Sequence, residues 1–349
     1  MKRPVQLLAL ILAVSCLLSM TALADGEQAL TPQTELQESM ASKSFTDVRE
    51  GQWFYKNMDI LVRSGGIDGY ADGSFRPDGA LKLSEFLKTL TALLYGEQTA
   101  RWADFEVGGQ VKWYSRYVGC AGEAGLLDGL VYSDEAFEKP VDRYTMAVIL
   151  VNAATAMGTP LTDDPEIGAI IGDYGSIPDR YQPYVRIAYA AGILNGVDNA
   201  GHFAGESSLR RSEACTAIVR LFRSTERVQR TYAYYSADGY TLSVVMPADW
   251  ADRCIAEGGE DNGRCWLRIH CAAAWNSYGL EGGGHLLTVM AEDEAFDYPQ
   301  YESLGTVGER QCYIIYPSDV QFDDASMAAY QDMVQDMNDG LVMVIVKRD

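Results

Sequence analysis

Two arginines stand at the start of segments with helical periodicity, where a cation could bind an anion. Arg211 lies in the stretch 209–213 (Leu-Arg-Arg-Ser-Glu), and the apolar residues of 214–222 recur with the spacing of one helix face. Arg143 opens a second such segment. A cation in the first helical turn opposes the helix dipole, so its presence indicates a bound anion or a partner carboxylate. A guanidinium group suits an acidic ligand because it can donate two parallel hydrogen bonds to a carboxylate. The structural alternative is an ion pair with an acid of a neighbouring segment.

These segments recur because the chain repeats itself between residues 45 and 223. Each unit has a helical pattern that stops at a glycine, a short loop, and a second helical pattern opened by a polar motif. The stops fall at Gly65-Gly66, Gly125 and Gly192, so the repeat is about 60 residues long. Such units bury their apolar faces against one another. We place the first unit at 45–99, the middle unit at 100–160 and the third unit at 161–223.

The repeated motifs resemble those of S-layer homology domains. The resemblance rests on an aspartate after an aromatic residue, a tryptophan, a Gly-Ile/Leu-x-x-Gly loop and a helix opened by Thr-Arg-Ala-Glu, and it covers about half of the chain. It implies a pseudo-threefold α-helical bundle. Grooves between the units would bind pyruvylated secondary cell-wall polymer on a Gram-positive-type surface, with the motif arginine contacting the acidic sugar.

The positions that match the family's motifs are the predicted polymer-binding residues: Arg211, Arg143, Asp47, Trp53, Asp104, Trp113, Asp173 and Glu213. Glu213 also stands where the acid of a capping box belongs. The two tryptophans could stack on sugar faces or plug the core. Thr145 replaces the motif acid in the middle unit, Leu83 replaces the arginine in the first, and Tyr181 stands where the third unit's tryptophan would be. We therefore expect two competent grooves rather than three.

The N-terminus predicts export. Lys2 and Arg3 precede an apolar run over 5–20, and a small-residue cleavage site follows, so residues 1–24 are typical of a signal peptide. An uncleaved membrane anchor and a lipoprotein attached at Cys16 are the alternatives. The polar segment 25–44 predicts a disordered arm. After cleavage we expect a secreted cell-wall protein with no membrane segment.

Charge restricts the partners. The formal net charge is −21, and 48% of the residues are hydrophobic, as in a folded protein of the soluble class. Nucleic-acid binding through a general electrostatic footprint needs clustered positive charge, which this composition does not supply. A few local arginines could still bind an anion.

The last third of the chain changes character after a polar linker at 224–230. Alternating apolar patterns at 240–246, 266–271, 285–290, 311–316 and 341–347 predict strands, and 325–338 has helical spacing. We therefore expect residues 231–349 to form an α+β domain with a mostly antiparallel sheet. The whole chain would then be an α-helical bundle followed by this small α+β domain.

Four cysteines cluster in this domain, namely Cys254, Cys265, Cys271 and Cys312. They could form disulfides or remain buried thiols. His270 and His285 lack metal-ligand spacing, and no nucleophile motif is present. We predict no catalytic residue, cofactor or metal, and hence a non-catalytic surface protein that displays the domain as a binding or structural module. The alternatives are a wall-anchored enzyme that acts on glycans through this domain, and a lattice-forming subunit.

Overall fold

The computed structural model describes residues 29–276, 282–293, 300–320 and 322–349. The predicted signal peptide and the first residues of the predicted arm lie outside this part of the chain. Within it, no helix is long and apolar enough to cross a membrane. A helical part is followed by a domain built mainly of strands, so the predicted mixture of helices and an antiparallel sheet is confirmed.

The α-helices of the described residues are α1 (Tyr55–Arg63), α2 (Leu83–Tyr95), α3 (Ser115–Glu123), α4 (Arg143–Ala156), α5 (Gln182–Ala190), α6 (Arg211–Phe222) and α7 (Met327–Asn338). The first six belong to the repeated units, two to each unit. Short 3₁₀ helices at Gly96–Trp102, Asp134–Glu138, Pro165–Ile170, Tyr174–Ser176 and Ser224–Glu226 connect them. The predicted helix–loop–helix order is therefore present in all three segments.

Local signals start and stop these helices. The Asp142 carboxylate caps α4 by accepting a hydrogen bond from Thr145 N at 2.7 Å. Glu213 accepts from Arg210 N at 2.9 Å, so its predicted capping position at the start of α6 is confirmed. Two residues after the ends of α1, α3 and α5 come Gly65, Gly125 and Gly192, with φ of 71°, 72° and 66°. Of the predicted pair Gly65-Gly66, Gly65 is the residue with the left-handed backbone that ends a helix.

A closed triangle of hydrogen bonds joins the three segments that precede α2, α4 and α6. Leu81 N donates to Leu209 O at 2.9 Å, Leu209 N donates to Val141 O at 2.8 Å, and Val141 N donates to Leu81 O at 2.9 Å. All three side chains are buried. Each unit thus satisfies backbone groups of the other two. Helix α4 is buried on nearly all sides in the continuous apolar core around this triangle.

Residues 29–44 are packed on the first unit instead of forming the predicted disordered arm. Gln33 N donates to Leu94 O at 2.6 Å, and Met40 N donates to Arg63 O at 2.9 Å. Glu38 pairs with Arg63 at 2.6 Å and with Arg223. Composition did not show this order, because a polar segment can be held by backbone hydrogen bonds and a few ion pairs to helices already in place.

The C-terminal domain contains two antiparallel sheets. The strands are β1 (Arg230–Ala237), β2 (Tyr240–Pro247), β3 (Cys254–Asp261), β4 (Arg264–Cys271), β5 (His285–Glu292), β6 (Tyr301–Val307), β7 (Arg310–Ile315) and β8 (Met343–Arg348). Their orders are β1-β2-β8 and β3-β4-β5-β7-β6. The sheets pack around the fully buried Trp250, and α7 covers one end. The sequence did not predict β1, β3 or β6, and all three are edge strands, which have one free side and need less alternation.

Candidate functional site

Arg211 reaches from the start of α6 into the loop of the first unit. Its Nε donates to Phe75 O at 2.9 Å, and its Nη2 donates to Asp68 O at 2.7 Å. The guanidinium carbon also lies 5.0 Å from the Tyr70 ring centre and 4.7 Å from that of Phe75. Only 6% of the residue is exposed. The structure therefore places Arg211 as an anchor for backbone carbonyl groups of a neighbouring unit.

Arg143 of the middle unit makes equivalent contacts with the loop of the third unit. From the start of α4 its Nε donates to Phe203 O at 2.7 Å, and its Nη2 donates to Asn195 O at 2.9 Å. The residue is 5% exposed, and this burial lowers its pKa. Arg143 thus holds the loop of the third unit as Arg211 holds the loop of the first. The ion pair that was the structural alternative for both arginines is replaced by hydrogen bonds to carbonyl oxygens.

Two of the predicted aspartates hold the other side of the same loops. The Asp47 carboxylate accepts from Phe75 N and Arg76 N, both at 2.7 Å. The Asp173 carboxylate accepts from Phe203 N at 2.6 Å and Ala204 N at 2.9 Å. Desolvation by itself would raise the pKa of Asp47, but the two N–H donors outweigh it and the pKa lies below its usual range.

The held loops share a strained backbone. Arg76 and Ala204 follow the two phenylalanines and have φ of 57° and 52°, a left-handed region that side chains rarely adopt. Each loop is thus fixed by an aspartate on its N–H groups and an arginine on its carbonyl groups. Because the same device occurs twice at equivalent places, it belongs to the repeat and not to one accidental contact.

The middle unit lacks this device. Asp104 is exposed, and within the described residues its carboxylate makes no hydrogen bond or ion pair. Leu83, which stands in place of the arginine, is buried and 4% exposed. An apolar side chain cannot donate to loop carbonyls, so the first and middle units are joined by packing, by backbone hydrogen bonds and by the ion pair of Lys82 with Glu138 at 3.2 Å.

The two predicted tryptophans occupy equivalent, open positions. Trp53 is 61% exposed and Trp113 is 56% exposed. Each lies edge-on against the next aromatic residue, Phe54 or Tyr114, which precedes the first residue of α1 or α3. They are therefore not core plugs.

In the third unit the equivalent position belongs to Arg180, because Tyr181 is the residue that precedes α5. The Tyr181 ring stacks on the Tyr144 ring with centres 4.7 Å apart and an angle of 5°. Matching Tyr181 to the tryptophans was therefore wrong by one residue. Counting two residues back from the first residue of the helix gives the position equivalent to the tryptophans. Searching for an aromatic residue did not.

A groove of about 310 Å³ brings three of the predicted residues together. It lies between the third unit's loop, α4, α6 and the start of α1. The lining residues are Trp53, Arg143, Met146, Ile193, Leu194, Asn195, Gly196, Val197, Arg210, Glu213, Thr216, Ala217 and Arg220. Trp53, Arg143 and Glu213 were predicted site residues. Arg211 and Trp113 do not line this groove.

Two further cations in the groove were missed from the sequence. Arg210 Nη2 pairs with Glu213 Oε1 at 3.0 Å, and Arg210 is about half exposed. Arg220 Nη1 lies 3.4 Å from both Ile193 O and Asn195 Oδ1. The sequence did contain a clue to them, because Arg210, Glu213 and Arg220 lie within three turns of one helix and can share a side of it. The groove thus offers three arginines against one glutamate, beside an open indole ring.

In the C-terminal domain, both histidines contact oxygen atoms of their own domain. His270 Nδ1 contacts Gly283 O at 3.1 Å and its Nε2 lies 3.4 Å from Glu257 Oε2, while His285 Nε2 contacts Thr288 Oγ1 at 2.8 Å. Burial lowers the pKa of His285 to about 4. The described part of the chain holds no group of three or more His, Cys, Asp or Glu side chains that could bind a metal ion. Its cysteines are free thiols.

Known proteins resemble this chain over about half its length. It is 24% identical over 197 residues to S-layer protein EA1 of Bacillus anthracis, covering 56% of this chain and 22% of that protein. It is also 24% identical to an amylopullulanase of Thermoanaerobacterium thermosulfurigenes (53% of this chain, 10% of that protein) and to an endoglucanase of a Bacillus species (51% and 18%). The chain therefore spans less than a quarter of the length of these relatives.

The sequence profile of the S-layer homology domain matches residues 44–87 and 171–215. These ranges fall on the first and third units, the two units whose loops are held by Asp47 and Asp173. The middle unit, without that device, is not matched. The first and third units therefore match the S-layer homology domain.

Proposed function

We propose that this protein is a non-catalytic, secreted cell-surface protein. Its helical part anchors it non-covalently to pyruvylated secondary cell-wall polymer of a Gram-positive-type bacterium, and residues 1–24 are the signal that exports it. The two S-layer homology domains and the resemblance to S-layer protein EA1 support a place at the cell surface. The single observation that carries the binding proposal is the groove lined by Trp53 and three arginines.

The groove has the chemistry that an acidic sugar needs. The half-exposed Arg210 pairs with Glu213 and, at 3.5 Å, with the exposed Asp78. It can turn from them to the carboxylate of a ligand, because an exposed ion pair is worth at most about 1 kcal/mol. The Trp53 indole offers a flat apolar face beside it. Arg143 is already engaged with two carbonyl groups, so in this proposal it shapes the wall of the groove and contributes its charge at short range.

We further propose that all three units form one pseudo-threefold bundle, the middle unit included. The triangle of hydrogen bonds among Leu81, Val141 and Leu209 supports this arrangement, since each unit contributes one equivalent strand-like segment. The expectation of two competent grooves stays a proposal. The second would lie beside Arg211 and Trp113, and the groove beside Leu83 would be the incompetent one.

The alternative is a wall-anchored enzyme that acts on a glycan through the C-terminal domain. It is favoured by the names of two relatives, an amylopullulanase and an endoglucanase. Those matches cover 53% and 51% of this chain, close to the extent of the helical part. Release of reducing sugar from wall polysaccharide or starch by the full chain would favour the enzyme.

Binding to purified cell-wall sacculi tests the anchoring proposal. We expect the Trp53→Ala and Arg210→Ala variants each to bind about tenfold more weakly, a loss of about 1.4 kcal/mol. Arg49→Ala is the matched control, an exposed arginine outside the groove. Chemical removal of pyruvate from the polymer should abolish binding by the wild-type protein. Unchanged binding by the double variant Trp53→Ala/Arg210→Ala would refute this groove as the site.

The number of grooves is tested separately with Trp113→Ala. With two competent grooves, Trp113→Ala and Trp53→Ala should each lose part of the binding. The double variant Trp53→Ala/Trp113→Ala should lose nearly all of it. If Trp113→Ala binds like the wild-type protein, the groove beside Trp53 acts alone.

A further inference from the structure

We propose that the C-terminal domain is a working part of the groove and not a separately displayed module. In this inference Arg230, the first residue of β1, is a positioning residue that fixes the groove-lining loop of the third unit. The link to polymer binding rests on the function proposed above, whereas the positioning of the loop does not.

Arg230 contacts the groove-lining residue Leu194 without lining the groove itself. Its Nη2 donates to Leu194 O at 3.0 Å, and its guanidinium carbon lies 5.1 Å from the centre of the buried Tyr189 ring. Two residues earlier, Val228 N donates to Gly192 O at 2.8 Å. The segment 224–230, predicted as a linker, is therefore packed against the end of α5 and the loop that follows it.

Three arginines hold three successive carbonyl groups of this loop. Arg220 Nη1 contacts Ile193 O at 3.4 Å, Arg230 Nη2 contacts Leu194 O at 3.0 Å, and Arg143 Nη2 contacts Asn195 O at 2.9 Å. They come from α6, β1 and α4, so the loop is held from three directions. Leu194 is buried, and a buried carbonyl group that loses its donor is destabilising. The loop conformation therefore depends on one residue supplied by the C-terminal domain.

The sheet β1-β2-β8 explains how this domain stays in place. Along β2, Leu242, Val244 and Met246 point into the domain's own core, and Val245 between them packs into the core of the helical part. Along β8, Val344 and Val346 face inward while Ile345 enters the helical core. Alternate side chains of a strand point to opposite faces, so this sheet is buried on both.

Polar contacts complete the junction with the third unit. Ser243 Oγ donates to Ala169 O at 2.8 Å, Lys347 Nζ donates to Gly168 O at 2.6 Å, and Tyr232 OH donates to Asp164 Oδ2 at 2.8 Å. At the same junction, a Cβ added to Gly201 would lie 2.5 Å from Ile345 Cδ1. The two parts are thus fitted closely enough for the sheet to hold Arg230 at a fixed place.

Comparison of Arg230→Gln with Arg227→Gln in the full chain tests this inference. Arg227 is the matched control because it comes from the same segment and also donates to carbonyl groups, those of Arg220 at 3.0 Å and Leu221 at 3.3 Å, outside the groove loop. We expect Arg230→Gln to weaken sacculus binding at least fivefold and to speed hydrogen exchange at residues 193–197. Arg227→Gln should change neither, although both variants lose similar thermal stability. Arg230→Lys should restore part of the binding, since its ammonium group can reach the same carbonyl oxygen.

The outcomes separate the two proposals. Unchanged exchange at 193–197 in Arg230→Gln, or an equal effect of Arg227→Gln, overturns the positioning role. If the wild-type protein does not bind sacculi, the proposed function fails, and the exchange measurement still decides the positioning role. A second variant, Ser243→Ala/Lys347→Met, loosens the junction without touching Arg230. It should raise protease cleavage within 224–230 and speed hydrogen exchange at residues 193–197. If this variant, Arg230→Gln and the wild-type protein all exchange at the same rate at 193–197, the inference is also overturned.

Discussion

Arg211 and Arg143 illustrate how far residue type determines role. Each was singled out because a cation at a helix start needs an anionic partner, and each finds carbonyl oxygens of another unit instead. Those oxygens carry partial negative charge, so the electrostatic reasoning was sound while the partner was different. The partner was invisible in the sequence because Arg211 and Phe75 are 136 residues apart. Their contact with polymer stays a prediction.

Arg211→Met should destabilise the folded protein. It keeps the length of the side chain but leaves the carbonyl groups of Phe75 and Asp68 without their donors. Because buried acceptors without partners each cost about 1–3 kcal/mol, we expect the free energy of unfolding to fall by at least about 2 kcal/mol. Urea titration measures it, with Arg49→Met as the exposed control. A loss equal to that of the control would show that the anchor is dispensable.

Asp47 should make stability depend on acid pH. The pKa of its carboxyl is lowered in the folded state. Its contribution is therefore fully present above the unfolded value of about 4 and is lost as the pH falls through the lower, folded value. Thermal melts between pH 5 and pH 2, at about one-unit steps, should fall less steeply for Asp47→Asn than for the wild-type protein. Parallel curves would contradict this assignment.

At the scale of elements, the predictable helices and strands were those with strong internal periodicity. The helices α2, α4 and α6 carry their apolar spacing and their capping acids within one stretch, and β2, β4, β5, β7 and β8 carry runs of apolar residues. Strand β3 reads Cys-Ile-Ala-Glu-Gly-Gly-Glu-Asp and has almost no such signal. Its place is determined by pairing with β4, which is a property of the fold and not of the strand itself.

The cysteines of α3 and α6 should make the helical part sensitive to alkaline pH. Burial raises the pKa of Cys120 and of Cys215 to about 12. The pKa of a thiol in the unfolded chain is about 8.5. The contribution of each buried thiol to the free energy of unfolding is therefore fully present below that pH. It falls as the pH rises, by up to about 1.4 kcal/mol per pH unit for each thiol. Cys120→Ala/Cys215→Ala should show a shallower fall between about pH 8.5 and 10, before tyrosines titrate. The slope is the readout, because alanine lowers stability at every pH. Identical slopes would count against buried thiols as the cause.

On the scale of the whole molecule, the two-part organisation was predictable and the junction was not. A repeated helical half and an alternating half are visible in the sequence, but the face that Ser243, Val245 and Ile345 present to the third unit is ordinary for a strand. Alternation predicts that a strand has two faces without saying what covers each one. The groove was likewise only partly predictable. Arg220 and Arg230 hold neighbouring carbonyl groups of its loop because the junction brings them together, and the sequence does not show this.

The junction predicts that the two parts unfold together. Amide groups of α4 and of β5 should exchange hydrogen through the same global opening, with equal free energies within the error of the measurement. In Ser243→Ala/Lys347→Met the two free energies should separate, because the contacts to Ala169 and Gly168 are lost. Separate values already in the wild-type protein would mean that the junction is weaker than its contacts suggest.

The triangle formed by Leu81, Val141 and Leu209 has a consequence for the order of events during synthesis. A chain that emerges from its N-terminus delivers the first unit early, yet Leu81 N has its acceptor only when Leu209 arrives. In the same way, the Phe75 carbonyl group has its donor only when Arg211, 136 residues downstream, has been synthesised. The first unit therefore cannot complete itself alone, and the chain stays open until nearly all of the helical part has been delivered. In the export proposed above, such a late closure would keep the polypeptide unfolded while it crosses the membrane.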